Sequence, residues 1–313
     1  MINVTVTVKN GNTNMNFTDD FFKEETLWGH LVTQQVKKVW AVEICILEEF
    51  DRICKKHGLK YYAGFGTLLG LVRHHGFIPW DDDIDVAMMR PDYEKMKLII
   101  KDELSAPYEF QDEQCPFQLR TFCKIRDPRT TGIEFTDAPE DFNQGLFIDI
   151  FPLDDACNSA DDINPNWEMK KELWCALSNP SQMQDILSRE NHLLLPPDIL
   201  KFVMTDQTGQ GLQLFNSFCT QHFGETDKVE LIVHDFNRPG NGIRRRCFED
   251  TIYIPFHGFN MPAPIGYEEI LTRQFTSYMT PVKFASLHNG MITDPDRPYR
   301  EVLAELNSNY TKF

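Results

Sequence analysis

Four aspartates crowd the segment 81–85, and two of them, Asp83 and Asp85, are separated by a single apolar residue. Because side chains alternate along a strand, this spacing predicts that both carboxylates lie on one side, while Ile84 and Val86 lie on the other. Two negative charges held so close repel each other unless a cation lies between them. Oxygen-only ligands favour a hard divalent ion, so we expect Mg²⁺ here, with Mn²⁺ as the alternative.

A glycine-marked turn precedes the acids. Gly64 and Gly66 flank Phe65, and residues 67–74 fit a helix whose first turn faces the glycines. The N-terminus of a helix presents free backbone N–H groups and favours an anion. A metal site beside such a turn indicates chemistry on a phosphate group, whose charge must be neutralised while the acceptor oxygen is aligned.

Asp149 is the third candidate ligand, because the run Phe147-Ile-Asp-Ile repeats the apolar–acid–apolar pattern. Two carboxylates from one strand and one from a neighbouring strand can form a three-sided cage for a metal that bridges them to a polyphosphate. Taken alone, Asp149 could equally face solvent. A glycine-marked turn, an acid–apolar–acid strand and a later strand with a third acid is nevertheless the arrangement of nucleotidyltransferase-like folds.

The hydrophobic pattern predicts the helices and strands that must position these residues. A long helix over 30–57 ends at Gly58, and Pro91 opens the next helix. Further helices are predicted at 167–177, 197–205, 212–223 and 267–279. Strands are predicted at 2–8, 59–63, 83–88, 117–125, 132–135, 146–150 and 251–256.

We therefore expect an α/β (α+β mixed sheet) protein, with a nucleotidyltransferase-like fold and a helical insertion. An N-terminal extension covers residues 1–29, and the catalytic core covers residues 30–154. Asn, Asp and Pro punctuate residues 158–166, and helical patterns follow, so we expect the helical insertion at 155–227. Residues 228–313 then complete the catalytic domain.

Composition narrows the classes of partner. Hydrophobic residues make up 42% of the chain and charged residues 25%, as in globular proteins. The net charge of −16 argues against nucleic acid. The eight cysteines include no C-x-x-C pair, which indicates reduced thiols. Cys219 and His222 have the spacing of half a zinc site, but no second pair matches it, so burial explains them better.

Targeting signals are not evident in the chain. Residues 1–16 lack the basic and apolar regions of a signal peptide, and no stretch reaches the roughly 18 apolar residues that a membrane span needs. We expect a cytoplasmic protein without a transmembrane segment. A membrane-linked substrate would be reached by peripheral contact at the membrane surface.

Three motifs resemble those of one family. The LicD family of phosphotransferases has a signature similar to the run GTLLGLVRHHGFIPWDDDIDV, followed here by MMRPDYEKM. Its second motif resembles NQGLFIDIFPLD, and its C-terminal motif is similar to PFHGFNMPAPIGYEEIL. The likeness implies a nucleotidyltransferase-like fold and a magnesium-dependent reaction. Bacterial members transfer phosphocholine from CDP-choline to cell-surface glycans such as lipopolysaccharide or teichoic acid, and fukutin-related members transfer ribitol phosphate from CDP-ribitol.

The resemblance carries functional positions onto this chain. Asp154, after Pro152, matches the second motif and would be a base, a ligand or a turn cap. The expected metal ligands are Asp83, Asp85 and Asp149. The expected catalytic residues are Asp83, Asp85, Asp149 and Asp154. The expected substrate-binding residues are Gly66, Thr67, Arg73, Asp82 and Lys124.

One segment departs from the family pattern. Many members carry a Tyr-Gly-Asp-Tyr run where this chain has Phe275-Thr-Ser-Tyr278. The difference concerns the acceptor site or a local structural contact, and it leaves the metal residues unchanged.

Basic side chains must meet the remaining phosphate charge. Lys124 and Arg126 lie on a predicted strand, and Arg73 ends the helix that follows the glycine turn. We expect Lys124 and Arg73 to contact the diphosphate; alternatively, Arg73 pairs with Asp81 or Asp82. The cluster 244–246 is either a solvated face or a contact for an anionic glycan.

Aromatic residues also crowd the first motif. Either they form a cage for a quaternary ammonium group or, as we favour, they pack in the core. These residues are Tyr61, Tyr62, Phe65 and Trp80.

The sequence thus predicts an enzyme that moves an alcohol phosphate, best represented by phosphocholine from CDP-choline, to a glycan hydroxyl and releases CMP. Either Asp149 or Asp154 would take the proton of the acceptor. Ethanolamine, glycerol and ribitol phosphate donors fit the same pattern. One alternative is a nucleotidyltransferase that releases pyrophosphate from an NTP. A second alternative is a protein that binds a nucleotide without turnover.

Overall fold

The computed structural model describes residues 17–112, 115, 120–161, 163–189, 193–206, 209–231, 240–283 and 290–310. The strand predicted at 2–8 and part of the strand predicted at 117–125 lie outside these residues. Within the described part, none of the helices combines the length and apolar character that crossing a bilayer requires.

A hairpin of β1 (Glu25–Leu27) and β2 (His30–Val32) precedes the long helix α1 (Gln34–His57). Thr33 caps the helix by accepting a hydrogen bond from the Val36 N–H. Gly58 ends it in the left-handed conformation, with φ of 62°, which glycine adopts at low cost. The predicted helix and its end at Gly58 are confirmed, and it begins four residues later than predicted because Thr33 supplies the cap.

The next segment alternates strands and helices. Its elements are β3 (Tyr62–Ala63), α2 (Phe65–His74), β4 (Asp85–Met89), α3 (Arg90–Glu103), β5 (Glu109–Gln111), β6 (Cys123–Asp127), β7 (Thr131–Ile133) and β8 (Leu146–Asp155). Pro91 lies in the first turn of α3, as predicted, because its missing N–H would have no partner there.

Four helices follow: α4 (Pro165–Ser178), α5 (Pro180–Arg189), α6 (Pro197–Thr205) and α7 (Gln210–Gln221). They enclose a hydrophobic cluster of their own, to which Trp167, Leu200 and Phe215 belong. The helices predicted at 167–177, 197–205 and 212–223 are confirmed, and α5 was not predicted. The proposed domain boundaries stay predictions.

The chain then returns to the main core. The elements are β9 (Lys228–Leu231), β10 (Ile243–Arg244), a 3₁₀ turn (Arg245–Phe248), β11 (Thr251–Phe256), β12 (Phe259–Pro264), α8 (Tyr267–Phe275), β13 (Ile292–Asp294) and α9 (Tyr299–Tyr310). Small antiparallel pairs join β11 to β12 and β13 to β7.

A seven-stranded mixed sheet forms the centre of the fold, and β8 is its axis. One edge of β8 pairs in parallel with β4, and the other pairs antiparallel first with β6 and then with β9. Outer strands β3, β5 and β10 extend the sheet. Because β8 is buried along nearly its whole length, both faces of the sheet are covered. The predicted mixed α/β class is confirmed.

Candidate active site

The register of three adjacent strands builds the site. Asp85 on β4 pairs with Asp149 on β8, and Lys124 on β6 pairs with the same Asp149 from the other side. Directly paired residues project to the same face, and neighbouring strands lie about 4.8 Å apart. The three side chains therefore form a row across the sheet, with two acids followed by one base.

Asp83 completes a group of three carboxylates. One oxygen each of Asp83, Asp85 and Asp149 lies within 4.8 Å of the others, close enough to coordinate a single ion. The strand begins only at Asp85, so the alternation argument that placed Asp83 in the same strand is wrong. The loop before β4 carries Asp83 to the cluster instead. A second group, sharing Asp83, consists of Asp81, Asp82 and Asp83.

These oxygens fit a hard divalent cation. Burial, and then the negative charges of Asp83 and Asp149, raise the pKa of Asp85 well above its usual range. A carboxylate in that setting keeps its charge only when a cation compensates it. The donor set is all oxygen, as Mg²⁺ prefers. The binding of Mg²⁺ or Mn²⁺ stays a prediction.

The first turn of α2 is fixed against the acids. The Gly64 N–H donates to the Asp85 carbonyl at 2.9 Å, and the Asp85 N–H donates to Thr67 Oγ1 at 2.8 Å. A Cβ atom on Gly66 would lie 2.5 Å from Asp81 Oδ2, so only glycine allows that carboxylate to approach the helix. Gly66 and Thr67 thus shape the site, while their contact with substrate stays a prediction.

Lys124 ends the row and compensates part of its charge. Its Nζ lies 2.8 Å from Asp149 Oδ1 and 3.7 Å from Glu134 Oε1, and its side chain is nearly fully buried. The same Nζ lies 3.2 Å from the centre of the Phe147 ring, a cation–π contact. Lys124 therefore holds one of the three acids in place.

Beside Lys124, two arginines surround the carboxylate of Glu134. Glu134 pairs with Arg120 at 2.9 Å and with Arg126 at 2.5 Å. Burial raises the pKa of Glu134, but Arg126 and Arg120 together pull it down below its usual value. Lys124 and Arg126 alternate on β6, and that signal was visible in the sequence. Nothing local indicated that Arg120 and Glu134 would join them.

Glu43 on α1 is a further acid that sequence reasoning missed. Its side chain is almost fully buried, and its Oε2 has no hydrogen-bond partner among the described residues. Burial, and then the charges of the run Asp81–Asp83 and of Asp85, raise the pKa of Glu43 well above its usual range. The available signal was a lone acid within the apolar run from Trp40 to Leu47.

Asp154 lies away from the acid cluster. It accepts hydrogen bonds from Nε and Nη2 of Arg90, with 2.7 Å for the first, and both side chains are fully buried. It sits five residues beyond Asp149, on the part of β8 that pairs with β9. The expectation that Asp154 joins Asp149 as a base or ligand is therefore corrected, because Arg90 already engages its carboxylate.

Arg73 also lies elsewhere. It occupies the last turn of α2, about 10 Å along the helix axis from Gly66. Its Nη1 donates to the Tyr278 carbonyl at 3.0 Å and its Nε to His74 at 2.8 Å. The structure brings Arg73 neither to the acid row nor into a pair with Asp81 or Asp82. The departing segment 275–278 thus contacts the far end of α2.

The basic cluster 244–246 is occupied by internal partners. Arg244 and Arg246 pair with Glu269, and Arg245 pairs with Asp155. This arrangement does not favour a contact with an anionic glycan.

The structure also shows where the residues of the aromatic-cage and zinc-site alternatives lie. Tyr61 donates to Asp51 and Tyr62 to the Phe248 carbonyl, both inside the core, whereas Phe65 packs on Phe151 beside the acids. Cys219 belongs to the helical cluster. In the described part of the chain, both groups able to hold a metal consist of aspartates alone.

Comparison with known proteins finds similarity to one family model and to several relatives. Residues 58–184 match the family model described as "LicD/FKTN/FKRP, nucleotidyltransferase domain". The chain is 28% identical over 247 residues to the lipopolysaccharide cholinephosphotransferase LicD of Haemophilus influenzae, which covers 75% of this chain and 87% of that protein.

Two rickettsial proteins of uncharacterised function are also similar. The one from Rickettsia typhi is 23% identical over 175 residues, or 50% of this chain and 56% of its own length. The one from Rickettsia prowazekii is 43% identical over 47 residues, or 15% and 18%. The matched model spans Asp83, Asp85 and Asp149, whereas Glu43 lies before it.

Proposed function

We propose that this chain, whose residues 58–184 match the LicD/FKTN/FKRP nucleotidyltransferase model, transfers phosphocholine from CDP-choline to a hydroxyl of a cell-surface glycan or its precursor and releases CMP. The family match covers the first two of the three motifs and supports the resemblance that they indicated. The observation that carries the proposal is the row of Asp85, Asp149 and Lys124 beside Asp83, facing the first turn of α2.

The acids and the helix divide the work on the donor. Asp83, Asp85 and Asp149 would hold Mg²⁺, which when bound neutralises charge on the diphosphate. Lys124 orients Asp149 and keeps a positive charge at the end of the row. The free N–H groups of the first turn of α2 favour a phosphate oxygen on the same side.

The two carboxylates that we expected as bases have other roles in this proposal. Asp149 is a metal ligand held by Lys124, and Asp154 is bound to Arg90. We assign Asp154 to the stability of the fold. Asp82 is partly exposed within the group Asp81–Asp83, and it stays a predicted substrate-binding residue.

An aromatic group beside the acids supports phosphocholine over ribitol phosphate. Phe151 follows Asp149 by two residues on β8, so both project to the same face. The Phe151 ring lies 5.1 Å from that of Phe65 and 4.4 Å from that of Phe122, measured between ring centres. Aromatic faces bind quaternary ammonium groups. The name of the Haemophilus relative points to the same group.

Thermal unfolding with candidate donors tests the choice of alcohol. The panel is CDP-choline, CDP-ethanolamine, CDP-glycerol, CDP-ribitol and the NTPs, each with Mg²⁺. A ligand that binds the folded state raises Tm by mass action, so CDP-choline should give the largest rise. A larger rise of Tm with CDP-ribitol would contradict the assignment of choline as the alcohol, but it would agree with the proposed class of reaction.

Product analysis tests the reaction itself. Purified protein with CDP-choline, Mg²⁺ and a glycan acceptor should release CMP, and Asp83→Asn should not. Asp137→Asn, which changes an exposed acid, is the matched control and should be as active as the unaltered protein. Pyrophosphate from an NTP would instead indicate a nucleotidyltransferase. Nucleotide binding without either product would indicate a binding protein.

We also propose that the protein acts in the cytoplasm, in peripheral contact with any membrane-linked acceptor. All eight cysteines are reduced thiols, and six of them are buried in the two main hydrophobic clusters. Free thiols are usual in a reducing compartment. Fractionation of cells that express the chain would test the location. Modification of its cysteines by a membrane-impermeant thiol reagent only after the cells are lysed would support a cytoplasmic location.

A further inference from the structure

Glu43 presents a buried acid that the fold does not explain. Its side chain is 1% exposed, and Oε2 accepts no hydrogen bond from the described residues. Buried carboxylates are normally paired, because an uncompensated one costs several kcal/mol. Other buried acids of α1 obey this rule. Glu49 accepts from Arg52 and the Ser105 N–H, and Asp51 accepts from Tyr61 and pairs with Lys55.

The orientation of α1 directs Glu43 at the acid segment. Trp40 lies three residues earlier, on the same face of the helix. Its indole Nε1 donates to the Asp81 carbonyl at 3.2 Å, which fixes that face against the loop before β4. The charges that act on Glu43 are those of the run Asp81–Asp83 and of Asp85. A fifth acid therefore points into a region that already holds four.

Glu43 is not one of the direct ligands. The carboxylates whose oxygens lie within 4.8 Å of one another form two groups in the described chain, and Glu43 belongs to neither. It is buried on α1, close enough to Asp83 and its neighbours for their charges to act on it. Mg²⁺ usually keeps several waters in its coordination shell, and carboxylates in the second shell hold such waters and orient the direct ligands.

We propose that Glu43 is a positioning residue of the cation site, where it accepts hydrogen bonds from the hydration shell of the divalent ion. The inference rests on the proposed function, because it needs a cation between Asp83, Asp85 and Asp149. It explains why Oε2 of Glu43 accepts no hydrogen bond from the described residues, whereas the buried acids Glu49 and Asp51 on the same helix are paired. It also extends the site beyond residues 58–184, onto an element that the family model does not cover.

The direct test is the affinity for Mg²⁺ alone, measured by the rise of Tm with Mg²⁺ concentration in the absence of nucleotide. Glu43→Gln keeps the shape of the side chain and removes its charge. We expect it to raise the apparent Kd for Mg²⁺ by about tenfold or more, the usual effect of losing a second-shell partner. Without Mg²⁺, its Tm should equal or exceed that of the unaltered protein, since one repelling charge is gone.

Glu49→Gln is the matched control on the same helix. It breaks the contact with Arg52 and should lower Tm, but it should leave the apparent Kd for Mg²⁺ unchanged. The Mg²⁺ concentration that gives half-maximal CMP release should move with the binding constant in Glu43→Gln and stay fixed in the control. This second readout separates positioning of the ion from a general loss of stability.

The outcomes distinguish the two proposals. An unchanged Kd for Mg²⁺ in Glu43→Gln, with a normal Mg²⁺ response in the unaltered protein, overturns the role of Glu43 and leaves the proposed function standing. No Mg²⁺ response in the unaltered protein overturns the cation site itself. If Glu43→Gln does not fold, Glu43→Met replaces it as an apolar side chain of similar size. Failure of both to fold would make Glu43 a structural residue and overturn the inference.

Discussion

Strand β8 carries two buried aspartates whose neighbours differ in charge. Asp149 is 4% exposed and lies among Asp83 and Asp85, with Lys124 as its cation. Asp154, five residues later, is 1% exposed and is held by Arg90. The first acid belongs to a group with excess negative charge, and the second belongs to a buried ion pair whose arginine also contacts Glu94 and Asn216. The difference teaches that neighbours from other elements, rather than residue type or burial, separate a site from a structural contact.

The largest effect should come from breaking the acid group. Asp85→Asn should lower CMP release from CDP-choline by about a thousandfold or more, because charge on the diphosphate is then poorly neutralised. The same change removes a repelling charge, so without Mg²⁺ the Tm should hold or rise. Assays of CMP release and thermal unfolding check both parts. Activity within tenfold of the unaltered protein would contradict the role of Asp85.

Breaking the ion pair should have the reverse profile. Asp154→Asn removes the buried counter-charge of the Arg90 guanidinium and leaves it paired with the more exposed Glu94, which should cost about 3 kcal/mol of the free energy of unfolding. Urea unfolding measures the loss. Activity per folded molecule should stay within a few-fold.

The double replacement Arg90→Met with Asp154→Leu is the control for this pair. It should recover most of the lost stability, because two apolar side chains leave no unpaired charge. A double variant as unstable as Asp154→Asn would mean that the pair is not what stabilises this part of β8.

Lys124 forms an ion pair, as Asp154 does, but its partner Asp149 belongs to the acid group. Replacing Lys124 should therefore lower activity, by less than the loss of Asp85. Lys124→Met removes the cation from Asp149 and from the donor side, so kcat/KM for CDP-choline should fall by about ten- to a hundredfold. The KM for the donor should rise or kcat should fall. Steady-state kinetics with varied CDP-choline decide it, and unchanged constants would remove Lys124 from the site.

His257 is buried, and burial changes its pKa. Replacing His257 should have the smallest of these effects, a change in how stability depends on pH. Burial, and then Lys37, lower the pKa of His257 to about 4, while its Nε2 accepts from the Phe77 N–H. The folded state resists protonation, whereas the unfolded state takes up the proton below about pH 6.5. Stability is therefore present above pH 6.5 and is lost as the pH falls toward 4.

His257→Gln keeps an acceptor and cannot take up this proton. The drop in Tm between pH 6.5 and 4.5 should be smaller in the variant than in the unaltered protein. Thermal unfolding at several pH values provides the comparison. Equal drops would show that His257 contributes nothing to the acid sensitivity of the fold.

Local patterns predicted much of the scaffold. Gly58 ended α1 and Pro91 opened α3 as expected, because a left-handed cap and a missing N–H act within one turn of chain. The predictions failed where distant contacts decide. The start of β4 at Asp85 depends on pairing with β8, and the place of Arg73 depends on the length of α2 and on the segment near Tyr278.

The sequence by itself determined which chemistry was available: acids at 83, 85 and 149, a glycine turn before a helix, and a basic residue at 124. These follow from residue types and short spacings, which the chain states directly. Tertiary structure decided which acids meet. The pairing register of β4, β6 and β8 joined Asp149 to Asp85 and Lys124, gave Asp154 to Arg90, and turned α1 so that Glu43 faces the cluster. Register and helix packing depend on burial summed over the whole core, and no short stretch of sequence contains that sum.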